Sequence, residues 1–88
     1  MFLSSGIAFV KQHRTKLIER VSAISAIMDL LLENGAIKEE AYLMVRSKPT
    51  NPEKMRELYV YLQNDKARQM FYSALEKHED FLLEDLRK

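Results

Sequence analysis

The chain has 88 residues, of which 47% are hydrophobic and 31% are charged, and its formal net charge is +1 at pH 7. A chain of this length forms one domain, which buries about 60% of the surface that the unfolded chain exposes. It contains no cysteine, which excludes disulfides, thiolate zinc sites and a cysteine nucleophile, and which fits a cytoplasmic protein.

The N-terminal residues 1–10 are fairly apolar but too short to cross a membrane, and the positive charges follow the apolar run instead of preceding it, unlike a signal peptide. We interpret residues 1–6 as an N-terminal extension, an expression remnant or a frayed end, and residues 7–88 as the domain. Apolar positions over 7–21 predict a first helix. The polar run 11–16 interrupts this helix and predicts a kink or a turn.

A second helix is predicted after Ser22, which is a suitable N-cap, and Asn34-Gly35 predicts a left-handed C-cap at its end. A short third helix is predicted over 37–45, with Glu39 and Glu40 in its first turn, where the helix dipole favours negative charge.

A fourth helix begins near Pro52, because proline is tolerated in the first turn, where its missing N–H would have no partner. Asn51 can cap this helix, and so can Thr50, which forms a capping box with Glu53; the sequence leaves both open. The apolar stripe of this helix is Met55, Leu58, Tyr59 and Leu62, and the basic residues that lie off it are Lys54 and Arg56.

Asn64-Asp65 predicts the cap of a fifth helix, and the apolar residues of 81–86 predict a last one, which could be continuous with the fifth because no Gly or Pro separates them. No stretch alternates with period two, so no sheet is predicted. Four methionines lie on the apolar stripes and are predicted to be core residues: Met28, Met44, Met55 and Met70.

Charge is segregated along the chain. Residues 11–20 and residues 46–56 each carry four basic residues and one acid. Residues 29–40 carry four acids and one lysine, and residues 76–88 have a net charge of −2. Such blocks predict that one face of the molecule complements a different face of a second copy, which gives assemblies that continue into rings or helices.

Candidate catalytic and metal sites are weak. The two histidines, His13 and His78, have no cysteine partners and do not form a ligand cluster. The acid pairs 79–80 and 84–85 lack a predicted cleft that would separate their pKa values. No Gly-rich phosphate loop is present. We therefore expect neither an enzyme nor a bound cofactor or metal.

Several segments resemble the caspase recruitment domain, or CARD, of the death-fold superfamily. They are Phe-Val-x-x-His-Arg-x-x-Leu-Ile-x-Arg-Val over 9–21, Glu-x-Tyr-x-x-Val-Arg over 40–46, Pro-Thr-Asn-Pro-x-Lys-Met-Arg-x-Leu over 49–58 and Leu-x-Glu-Asp-Leu over 82–86. The resemblance is to the inflammasome type, found in inflammasome adaptors and at the C-terminus of NLR-type sensors.

The resemblance implies an all-α, six-helix antiparallel Greek-key bundle with a bent first helix and a break near His78. It also implies pairing between a basic surface on helices one and four and an acidic surface on helices two and three. By position, the basic surface is Arg14, Arg20, Lys54 and Arg56, and the acidic surface is Asp29, Glu39 and Glu40.

The function that the resemblance implies is a homotypic interaction module that forms helical filaments and leads to caspase activation in inflammasome or cell-death signalling. Its expected partners are the CARDs of an adaptor, a sensor or an inflammatory caspase, with no nucleic acid and no membrane. The alternative is a helical nucleic-acid binder that uses Lys48, Lys54 and Arg56, although a net charge near zero argues against it.

Overall fold

The structure, a computed structural model, describes the backbone of residues 3–87 and the side chains of residues 6–87. Within this part of the chain there is no strand, so the all-α prediction is confirmed. The helices are α1 (Leu3–Gln12), α2 (Arg14–Arg20), α3 (Ile24–Glu33), α4 (Glu39–Arg46), α5 (Asn51–Tyr61), α6 (Asp65–His78) and α7 (Asp80–Leu86).

The described residues thus form seven helices where six were predicted, because the first predicted helix is divided at His13, inside the polar run 11–16. Helix α1 begins at Leu3, within the predicted extension 1–6, of which residues 1 and 2 lie outside the described backbone. Gly6 lies against α6, and a Cβ at this position would come within 2.7 Å of the Tyr72 ring. The absence of a side chain at Gly6 therefore allows α1 to approach α6 closely.

The core lies between α5 and α6 and the helices that pack on them. Helix α6 contacts α1, α3 and α7, whereas α5 contacts α2, α3 and α4. The residues that are almost or completely inaccessible to solvent come from every helix whose side chains are described, and the largest are Phe71, Leu17, Ile27, Met28, Leu31, Met55, Leu58, Leu75 and Leu83. Burial of each large apolar side chain contributes about 1.5–3 kcal/mol.

The methionine prediction is confirmed for Met28 and Met55, which are fully buried, and Met70 packs against the core while partly exposed. For Met44 it is wrong, because this side chain is 47% exposed. Helix α4 buries Ala41 and Val45, and Met44 lies about 100° around the helix from Val45, which turns it away from the core.

Two of the predicted helix ends have the expected geometry. Gly35 has φ +76°, and the Ala36 and Gly35 amides donate to the carbonyls of Leu31 and Leu32, which is the Schellman pattern of a left-handed C-cap. At the start of α6, the Asn64 side chain accepts a 2.8 Å hydrogen bond from the Ala67 amide.

The start of α5 is capped by Thr50, which decides between the two alternatives. The Thr50 hydroxyl accepts a hydrogen bond from the Glu53 amide at 3.3 Å and donates one to the Glu53 carboxylate at 2.8 Å. Asn51 is instead the first residue of the helix, and Pro52 follows in the first turn, where its missing N–H costs nothing.

The predicted Ser22 cap of α3 is wrong. The N-cap residue is Ala23, and no side chain of the α3 segment itself caps it. The Glu79 carboxylate, from the junction between α6 and α7, accepts hydrogen bonds from the Ser22 and Ala23 amides at 2.9 and 2.8 Å. An ionised carboxylate is a stronger acceptor than a serine hydroxyl and interacts favourably with the helix dipole, so a residue distant in sequence caps α3.

This cap predicts that Glu79→Ala lowers the free energy of unfolding by about 1–2 kcal/mol, because two amide groups lose a charged acceptor. Urea unfolding monitored by circular dichroism measures the change. The matched control is Glu84→Ala, at an exposed position of α7, which should change stability by less than about 0.5 kcal/mol. Equal stability of the two variants would contradict the role of Glu79.

Candidate protein interaction surfaces

Helix α5 has one buried and one exposed side. Met55 and Leu58 are fully buried, whereas Val60 is 54% exposed and Arg56 is also exposed. Arg56 and Val60 are four residues apart, so their side chains are neighbours on the outer side of the helix.

Arg14, from the start of α2, joins this outer side of α5 in a shallow groove. Arg14, Lys48 and Arg56 line the groove together with Val60, Glu53 and Glu57. The Lys48 ammonium lies 3.8 Å from the Glu57 carboxylate, so part of its charge is balanced locally. We call the surface lined by Arg14, Lys48, Arg56 and Val60 the basic groove.

The Arg14 guanidinium is held over the Tyr59 ring, 5.2 Å from its centroid, in cation–π geometry. The Tyr59 ring also packs edge-on against Phe71, with 5.9 Å between centroids, and its hydroxyl donates a 2.9 Å hydrogen bond to the Val10 carbonyl. Burial raises the pKa of Tyr59, so the hydroxyl stays protonated and keeps this bond. The core thereby positions Arg14 at the edge of the groove.

The other two predicted basic residues lie elsewhere. The Arg20 guanidinium binds the Asp85 carboxylate of α7 at 2.7 Å, and Arg20 does not line the basic groove. Lys54 is two residues before Arg56, about 200° around α5, and is also absent from the groove lining. The structure therefore brings Arg14 and Arg56 together but not all four.

The acidic residues lie on α3 and α4. The Asp29 carboxylate accepts a 2.6 Å hydrogen bond from the Tyr42 hydroxyl, and this bond, the largest cause, raises the pKa of Tyr42. Glu39 is exposed and precedes Tyr42 by three residues, which places it on the same side of α4. We call the surface formed by Asp29, Glu39 and Tyr42 the acidic surface.

Glu40 lies in a different groove of the molecule, which it lines together with Ala36, Met44 and Tyr61. It is one residue from Glu39, and consecutive residues of a helix point about 100° apart. The structure therefore brings Asp29 and Glu39 to one surface and directs Glu40 to its edge.

Sequence reasoning missed the exposed apolar residues of both surfaces. Val60 was not assigned to any surface, and Leu43 of α4 is 57% exposed, four residues after Glu39. The signal was available in the sequence, because both residues lie off the apolar stripe of their own helix and are four residues away from a predicted charged site.

The described residues contain no group of three side chains that could hold a metal ion. The His13 ring packs against the Phe9 ring at an interplanar angle of 43°, with 4.4 Å between centroids. The helices of the described segment include none that is long and apolar enough to cross a membrane.

Residues 7–88 match the profile of the family described as caspase recruitment domain. The chain belongs to the CARD family. The structure and the family match agree with the resemblance that the four sequence segments indicated, and they do not favour the nucleic-acid alternative.

Relatives of this CARD are found in two kinds of larger protein. The chain is 34% identical over 85 residues to the apoptosis-associated speck-like protein containing a CARD from Danio rerio, covering 93% of the chain and 42% of the relative. With the protein of that name from Bos taurus it shares 33% identity, covering 94% of the chain and 43% of the relative.

The chain is also 34% identical over 84 residues to NACHT, LRR and PYD domains-containing protein 1b allele 3 from Mus musculus, covering 93% of the chain and 7% of the relative. The CARD therefore spans less than half the length of each of these relatives.

The contacts of Tyr59 predict that Tyr59→Phe lowers the free energy of unfolding by about 1 kcal/mol, because the Val10 carbonyl loses its hydrogen bond while the ring packing is kept. Thermal unfolding measures this change. An unchanged melting temperature would show that the hydroxyl contributes nothing to the attachment of α5 to α1.

Proposed function

We propose that this CARD is a homotypic interaction module of inflammasome or cell-death signalling, in which it recruits other CARDs and leads to caspase activation. Family membership supports this proposal, as does the similarity to longer proteins whose names state that they contain a CARD. The role is one of binding, without catalysis, cofactor or metal, and we expect it in the cytoplasm.

The fold that we propose for this role is the six-helix antiparallel Greek key of the death fold. In this interpretation α1 and α2 together are its bent first helix, with the bend at His13, and α3 to α7 are helices two to six. The hydrogen bond from the His13 amide to the Phe9 carbonyl and that from the Leu17 amide to the His13 carbonyl support a bend, because they continue the helical pattern across the break.

The single observation that carries the proposal is the separation of charge between two pairs of helices. Arg14 and Arg56 share a groove on α2 and α5, whereas Asp29 and Glu39 lie on α3 and α4. Because the two surfaces differ, each copy that pairs through one surface keeps the other free, and the assembly extends into a helical filament.

Glu40 stays in the proposal at the edge of the acidic surface, and Arg20 and Lys54 stay in it as basic residues outside the basic groove. The ion pair of Arg20 with Asp85 is exposed, and exposed pairs are worth about 0–1 kcal/mol, so Arg20 can exchange Asp85 for a carboxylate of a neighbouring copy at little cost. The proposed partners are the CARDs of an adaptor, a sensor or an inflammatory caspase, together with further copies of this chain.

The proposal predicts that Arg56→Glu and Asp29→Arg each abolish filaments, as seen by electron microscopy of the purified domain at low salt. Each substitution places like charges opposite each other in every contact of the filament. Filaments of the unmodified chain should also weaken as salt is raised, because exposed charges are screened over about 8 Å at physiological ionic strength.

Two substitutions with the same change in net charge serve as controls. Lys66→Glu and Glu84→Arg alter exposed residues of α6 and α7 that line neither proposed surface, so both should form normal filaments. Circular dichroism checks that all four variants fold. Normal filaments from the Arg56 and Asp29 variants would overturn the assignment of the surfaces.

A further inference from the structure

Four large hydrophobic side chains are exposed among the described residues, and two of them adjoin the proposed charged surfaces. The four are Leu43 at 57%, Met44 at 47%, Val60 at 54% and Phe81 at 85%. Val60 lies in the basic groove, and Leu43 follows Glu39 by one turn of α4.

Val60 lines two adjoining grooves, each of which contains three basic residues. It lines the basic groove with Arg14, Lys48 and Arg56, and it also lines an adjoining groove with Arg14, Lys11 and Arg68. An aliphatic side chain surrounded by several cations provides an apolar contact point within a surface that attracts acids.

The two helices carry matching pairs at the same spacing. On α5, Arg56 precedes Val60 by four residues, and on α4, Glu39 precedes Leu43 by four residues. All four side chains are exposed, and residues four apart lie side by side on one face of a helix.

We propose that α4 of one copy packs in parallel on α5 of the next copy, with Glu39 against Arg56 and Leu43 against Val60. This arrangement rests on the proposed function and specifies the contact within it. The rise per residue is the same in both helices. A parallel alignment that places Glu39 against Arg56 therefore also places Leu43 against Val60.

The apolar contact contributes affinity between copies at high salt, which the charges alone cannot supply. Exposed ion pairs are screened by salt, whereas burial of apolar surface is not an electrostatic effect. The Leu43–Val60 contact therefore keeps part of the affinity between copies at high salt, and it fixes which acid meets which arginine.

Met44 is a less suitable partner for Val60. It lines the groove that contains Glu40, Ala36 and Tyr61, which partly shields it, and it lies about 100° around α4 from Leu43. Leu43 is the more exposed residue and lies on the same side as Glu39.

Disulfide trapping tests the contact directly, because the natural chain contains no cysteine. Copies carrying only Leu43→Cys are mixed with copies carrying only Val60→Cys, assembled at low salt and oxidised. A disulfide requires Cβ atoms about 3.5–4.5 Å apart, so we expect a covalent dimer in the mixture that neither variant gives alone. Separate copies also exclude a bond within one chain.

The control mixture combines Leu43→Cys with Phe81→Cys, a more exposed position on α7, and should give no such dimer. Filaments that form without the covalent dimer of positions 43 and 60 would overturn this contact while leaving the proposed function standing. Absence of filaments from the unmodified chain would overturn the proposed function and this contact with it.

Discussion

The packing of α5 on both α2 and α4 is the constraint on which the two charged surfaces depend. Burial of Met55 and Leu58 fixes the rotation of α5, and that rotation turns Arg56 and Val60 outward. Phe71 and the Val10 carbonyl hold the Tyr59 ring, over which the Arg14 guanidinium lies. The charged surfaces are therefore set by the apolar residues beneath them, and a change in the packing of α5 would displace both arginines of the basic groove.

Lys48 and Glu57 show why position matters more than the number of charges in such a surface. Both line the basic groove, and their ion pair balances one positive charge there. Arg56 has carboxylates nearby at Glu53 and Glu57, yet its guanidinium can pair with two oxygens of a carboxylate from another copy, which a lysine cannot do. We therefore expect Arg56 to contribute more than Lys48 to binding between copies.

Much of the fold could be predicted from the sequence because local signals determine it. Asn34-Gly35 required a left-handed turn, and the spacing of Ile24, Ile27, Met28 and Leu31 gave the buried side of α3. The cap of α3 could not be predicted in this way, since Glu79 is more than fifty residues away and reaches Ser22 only in the folded chain.

The sequence also indicated less about the two charged surfaces wherever their arrangement depends on contacts between residues that are distant in the chain. The charge blocks and the family resemblance assigned Arg14 and Arg56 to one basic surface, and the two residues line one groove on the contacting helices α2 and α5. The charge blocks and the resemblance did not separate Lys54 from Arg56, whose opposite orientations follow from the rotation of α5. Nor did they reveal the pairing of Arg20 with Asp85, which is a tertiary contact. Whether these residues act in assembly stays a prediction.

The claim that the basic and acidic surfaces of neighbouring copies meet is tested most directly by exchanging their charges within one chain. Electron microscopy compares Glu39→Arg, Arg56→Glu and the chain that carries both substitutions. We predict that neither single variant forms filaments and that the double variant does, because residues 39 and 56 again carry opposite charges and attract each other across the contact. A folded double variant that stays monomeric while the unmodified chain polymerises would contradict this account.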